Sequence, residues 1–141
     1  MKKILSVMPF MMALLVWAVD GRAAPLSNEQ AGRTAADEWL VLVDAGKLPE
    51  SWQKLEPAFA KKVGKKKWTS ALSEIRSPLG KLTSRALKSA EYTKELSGAP
   101  EGEYVIVQFT SSFERKKEAT EKVTLLLGRD LFWRVAGYSV K

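Results

Sequence analysis

Two arginines, Arg76 and Arg85, bracket the stretch RSPLGKLTSR, with Lys81 between them. Guanidinium groups hold carboxylates and phosphates in a fork, so two converging across one corner form an anion site. The indole of Trp68, one helical pattern earlier, could line a cavity beside them. Trp68, Arg76 and Arg85 are therefore the candidate ligand-binding residues. The same residues have a plainer reading. Arg76 falls at the end of a helical pattern, where the helix dipole favours a cation. Either arginine can pair with Glu74, Glu91 or another acid. Pro78 and Gly80 supply what a helix-to-strand reversal needs, a stop and an unusual φ.

A second cluster is the run KKVGKKKW, with Lys61, Lys62, Lys65, Lys66 and Lys67 next to Trp68. Five ammonium groups beside an aromatic suit anionic lipid head groups or wall polymers. A like-charge run is also what a solvated loop between helices looks like. Carboxyls and phenols complete the inventory: Asp37, Glu38, Asp44, Tyr92, Tyr104 and Tyr138. Carboxyl and Tyr pairs run acid–base chemistry in some cone-shaped enzymes. No spacing pairs them here, so no catalytic residue is assigned. Asp37 and Glu38 flank an apolar stripe and are expected to face water.

Composition narrows the chemistry further. The 141 residues contain no Cys and no His. Thiolate nucleophiles, disulfides and the commonest metal ligand are therefore absent, and no metal or cofactor is expected. The net charge of +7 favours anionic partners. Nucleic acid is not expected, because no recognition helix or stacking motif is present.

The segment MKKILSVMPFMMALLVWAVDGRAAPLS has a basic start, an apolar run and small residues, the layout of a secretory signal peptide. The run is short for a membrane span, which takes about 20 apolar residues. Cleavage after Ala23 leaves a single domain over residues 24–141 and lowers the charge to +5, since Lys2, Lys3, Arg22 and Asp20 are lost. The expected location is the periplasm or the outside of a bacterium, with no membrane span left after cleavage.

The elements that must position these groups follow from periodicity. Ser27 and Gln30 have capping-box spacing, and Ala36, Trp39, Leu40 and Val43 make one helical face. Gly46 stops that helix. Leu48-Pro49-Glu50 restarts one carrying Trp52, Leu55, Phe59 and Val63, which Pro57 bends or splits and Gly64 ends. A third runs from about Lys66 to Arg76. Trp39, Trp52 and Trp68 fall one per helix, either as core or as the lining of a cavity. Strands are then expected near 84–96, 104–113, 120–127 and 132–140, with a charged turn at 115–118. Helices followed by strands joined through short turns predict an α+β fold with a four-stranded antiparallel meander. Residues of both faces of 104–113 are partly apolar, which leaves room for a curved sheet or a dimer face.

AADEWLVLVDAGKLPESW, SALSEIRSPLGKLTSRAL after Trp68, SGAPEGEYVIVQF with TSSF, EKVTLLL and WRVAGY together resemble the bacterial domain-of-unknown-function family 4019. The resemblance covers about residues 35–141. It implies a short secreted protein with a layout like the cone of nuclear transport factor 2, and it carries no catalytic residues. Such cones often pair through their sheets, so a homodimer is one expectation. Before its last Trp the family often shows an Asp-Gly turn. Here the turn is Gly128-Arg129-Asp130-Leu131-Phe132, which implies a longer loop. The leading functional expectation is a secreted, non-enzymatic binding or interaction module for a protein or an anionic envelope component. The alternatives are a small-molecule-binding cone and, behind it, an enzyme using carboxylate and Tyr chemistry.

Overall fold

The computed structural model describes Gly21 and residues 23–141; the expected signal peptide lies almost wholly outside the described residues. Four helices precede four strands: α1 (Asn28–Asp44), α2 (Leu48–Gln53), α3 (Pro57–Val63) and α4 (Lys65–Arg76), then β1 (Leu82–Thr93), β2 (Tyr104–Phe113), β3 (Lys116–Leu127) and β4 (Trp133–Val140). The strands form one antiparallel sheet in the order β1-β2-β3-β4. The fold is α+β, as the change of period along the chain predicts. Among the described residues no helix is long and apolar enough to cross a membrane.

Local sequence explains the helix boundaries. Ser27 and Gln30 form the reciprocal capping box of α1. Gly46 turns the chain at φ +73°. Pro57 splits the second helical pattern rather than bending it. In the gap Leu55 bridges to Val135, and the Glu56 amide donates to the Val135 carbonyl at 2.8 Å. The Glu56 carboxylate then caps α3 by accepting from the amides of Ala58 and Phe59. The outer edge of β4 is thus paired at Val135.

α1 packs Ala36, Trp39, Leu40 and Val43 onto Val105, Val107, Phe109, Val123, Leu125 and Val135. These sheet residues alternate along their strands and share one face. Gly32 brings the helix down on the sheet: a Cβ there would lie 2.6 Å from the Val105 side chain. The three helical tryptophans belong to the core. Trp39 donates to the Ser51 carbonyl, Trp68 to the Ser51 hydroxyl and Trp52 to the Ala60 carbonyl.

Two boundaries differ from expectation. β1 runs over 82–93 rather than 84–96, because Thr93 closes a side-chain turn onto Glu95 and peels the chain off the sheet. The β2–β3 turn is Glu114-Arg115, two residues long, so β3 begins at Lys116. The longer loop before Trp133 does form, at residues 128–132, with Leu131 in the left-handed region at φ 65°. The β1–β2 register shifts between Leu87 and Ser89, leaving Lys88 as a bulge.

Candidate functional site

An acid on an apolar strand face is the feature around which the site is built. In β3, Ala119, Glu121, Val123 and Leu125 all point into the core, and Glu121 is completely buried. A buried carboxylate must be paired and hydrogen-bonded. Four donors meet it, two on each oxygen. Arg85 Nε at 2.7 Å and Ser111 Oγ at 2.5 Å reach Oε1. Arg85 Nη2 at 3.1 Å and the Tyr138 hydroxyl at 2.5 Å reach Oε2.

Arg85 continues outward to a second acid. Its Nη1 and Nη2 donate to Asp44 at 2.7 and 3.0 Å. Arg76 adds a third donor to Asp44, Nη2 to Oδ1 at 3.0 Å. Asp44 ends α1, where the helix dipole disfavours an anion; the two arginines offset that. The Arg76 guanidinium lies 4.9 Å from the centre of the Phe113 ring. Its Nε and Nη1 are buried with no hydrogen-bond partner among the described residues. The cluster draws one residue from each strand and two from helices: Asp44 on α1, Arg76 on α4, Arg85, Ser111, Glu121 and Tyr138 on β1 to β4.

The charges shape one another. Burial pushes the Arg85 pKa down, but hydrogen bonds to Asp44 and Glu121, with their charges, outweigh it, so the guanidinium is more firmly protonated than usual. Burial raises the Tyr138 phenol, the Glu121 charge and hydrogen bond raise it further, and Arg76 opposes them. The network is neutral overall and saturated at its centre. A carboxylate with about four acceptor positions, all filled, has none left for a substrate proton. Two arginines and two acids thus neutralise one another without any bound ion.

A hollow of about 290 Å³ opens above Asp44 and Arg76, with Gly80, Lys81, Glu114 and Arg115 on its walls. Most of this rim is also committed. Arg115 donates to the carbonyls of Ser77 and Pro78, and Glu114 accepts from the Lys81 amide at 2.7 Å. The β2–β3 hairpin tip therefore holds the RSPLGK corner. Gly80 is required there, at φ +75° with Glu114 only 3.0 Å from its missing Cβ.

The arginines singled out in the sequence do converge, and what they hold between them is Asp44. Trp68 stands apart from them. Its ring faces Trp39 and Phe59, and Trp39 in turn meets Tyr138. Asp44 and Tyr138, which sequence spacing did not pair, belong to one network through Glu121. Glu121, Ser111 and Arg115 escaped notice. The available signal was parity: Glu121 falls on the apolar set of EKVTLLL, and Arg85 lies two strands across from it. Lys61 and Lys62 end α3, and Lys65, Lys66 and Lys67 begin α4. All five are exposed, and none joins an ion pair among the described residues. Asp37 and Glu38 face water as expected. Among the described residues no three acidic side chains gather as a metal site requires.

Four helices and an antiparallel meander, sewn together by a buried charge cluster, define a small α+β domain. The chain matches DUF4019, described as a protein of unknown function, over residues 35–138, and it belongs to that family. The match spans every member of the cluster. Neither curated proteins nor solved structures give a match.

Proposed function

We propose that the protein is a non-enzymatic binding module of the bacterial periplasm or exterior, acting on a protein or an anionic envelope component. One observation carries this reading. The most deeply buried acid, Glu121, has every acceptor position filled, so the water-excluded interior offers no free acid or base. A run of uncommitted like charges lies outside, on Lys61, Lys62, Lys65, Lys66 and Lys67. Three of these sit in the first turn of α4, where the dipole disfavours cations by roughly 0.3–1 kcal/mol each. Local stability does not explain them; an anionic partner does. The leader-like first 23 residues support the location, and helices followed by a meander support a cone like that of nuclear transport factor 2.

Native mass spectrometry of the protein recovered from its own envelope, with crosslinking through lysine, tests the reading. The expected result is a mass lacking the first 23 residues and crosslinks from the 61–67 run to an envelope partner. Retention of the leader, or crosslinks that avoid the run, would overturn it. A small-molecule reading also has an observation behind it, an apolar groove of about 250 Å³ on the other face of the sheet.

A further inference from the structure

Tyr104, Thr124 and Leu126 point away from α1, opposite in parity to Val105, Val123 and Leu125. The outer face they form is not bare. The β1–β2 loop folds over it, and Tyr104 is only 2% exposed, its hydroxyl donating to the Pro100 carbonyl at 2.6 Å. α3 reaches the same place from the edge of β4. Between them runs the groove, with mostly apolar walls that include Phe59, Leu96, Pro100 and Leu126.

The Glu56 carboxylate is used by the α3 cap, and the Tyr104 hydroxyl by Pro100. The Lys62 ammonium and the Thr124 hydroxyl line the groove with no hydrogen-bond or ion-pair partner among the described residues. Glu56 and Lys62 are the two charged groups of the lining, and of these only Lys62 has no partner among the described residues; four more lysines without ion-pair partners lie beside it in sequence. The complement is an apolar chain with an anionic head. The volume lies just under the roughly 300–1,000 Å³ of ordinary small-ligand sites. That suits one chain of medium length and excludes a two-chain lipid. A peptide adding as a strand has no purchase, since Leu55 and Glu56 already occupy the neighbouring β4 edge.

We propose that this groove binds a free fatty acid of medium chain length, the tail along Phe59, Leu96, Tyr104 and Leu126 and the carboxylate on Lys62, with Thr124 as a second donor. The proposal deepens the small-molecule reading of this groove and stands beside the envelope-binding one.

Titration calorimetry of the purified protein with sodium decanoate, below its micelle concentration, is the test. One-to-one binding is expected. Decyltrimethylammonium, with the same tail and the opposite charge, should bind at least about tenfold more weakly, or 1.4 kcal/mol. Lys62→Glu should weaken decanoate by a similar factor. Ala99→Trp, which fills the groove from an exposed loop, should abolish binding. No decanoate binding, equal affinity for the two amphiphiles, or indifference to both substitutions would overturn the proposal. Lys62 is exposed, so its variant folds even where Ala99→Trp does not. Sedimentation with phosphatidylglycerol vesicles keeps the two readings apart. Vesicle binding without decanoate binding removes the groove proposal alone. Loss of lysine crosslinks and vesicle binding, with decanoate still bound, removes the wider reading alone.

Discussion

On the helix-covered face of the sheet, Glu121 is met by four donors; on the outer face, Lys62 is met by none. The first charge would be very costly to bury alone, so the chain surrounds it with partners from each of the other three strands. The second stays at the surface, where water satisfies it until something else does. The contrast separates two uses of charge in one small domain. Inside, charge fixes which strand faces which helix. Outside, it is held available.

The sharpest way to break that contrast is to strand one half of the buried pair. Arg85→Met leaves Glu121 without its charge partner and should cost about 3–5 kcal/mol in urea denaturation. Arg76→Met should cost less than half as much, because Asp44 keeps Arg85 and two Arg76 nitrogens already lack partners. Equal losses would mean that the network is not centred on Glu121.

A smaller effect sharpens the picture at Tyr138. Tyr138→Phe removes a hydrogen bond to a buried anion and should cost about 1.5–3 kcal/mol. It also changes the alkaline limb. An unfolded tyrosine titrates near pH 10, whereas burial and Glu121 keep the folded Tyr138 protonated above that. Above about pH 10 the unfolded chain therefore binds fewer protons than the folded one, and stability falls as pH rises. The slope should be shallower in Tyr138→Phe. The remainder comes from Tyr92, raised chiefly by its hydrogen bond to Glu103, and Tyr104, raised chiefly by burial.

The smallest expected effect is the most discriminating. Lys62→Glu should lower the unfolding free energy in urea titration by no more than about 1 kcal/mol, the loss of a cation at the end of α3, while changing decanoate binding. Matching losses of stability and binding would show that the outer charge is structural after all.

Much of the scaffold was legible because its signals are local. The capping box of α1, the glycine stops at Gly46 and Gly64, the Pro57 break and the corner at Pro78 and Gly80 depend on neighbours a few residues away. The α+β order followed from the change of period. The charge cluster was only half legible. Arg76 and Arg85 could be picked out as converging, but their partners lie far off in sequence, at Asp44 and Glu121, and register decides which acid they meet. Parity within β3 marks Glu121 as the odd residue on a buried face, and that signal needs the strand boundaries first. The outer groove was less legible still. Its walls come from α3, a loop and three strands, and no short stretch contains it.

The bulge at Lys88 has a bearing on how the molecule behaves in a crowd. β1 has a strand neighbour on one side only among the described residues, and its other side is a row of backbone donors and acceptors open to recruitment by another chain. The bulge interrupts that row midway, while Leu55 and Glu56 pair with the opposite margin at Val135 of β4. Growth of the sheet from molecule to molecule, the route to fibrils, thus meets an irregularity on each margin.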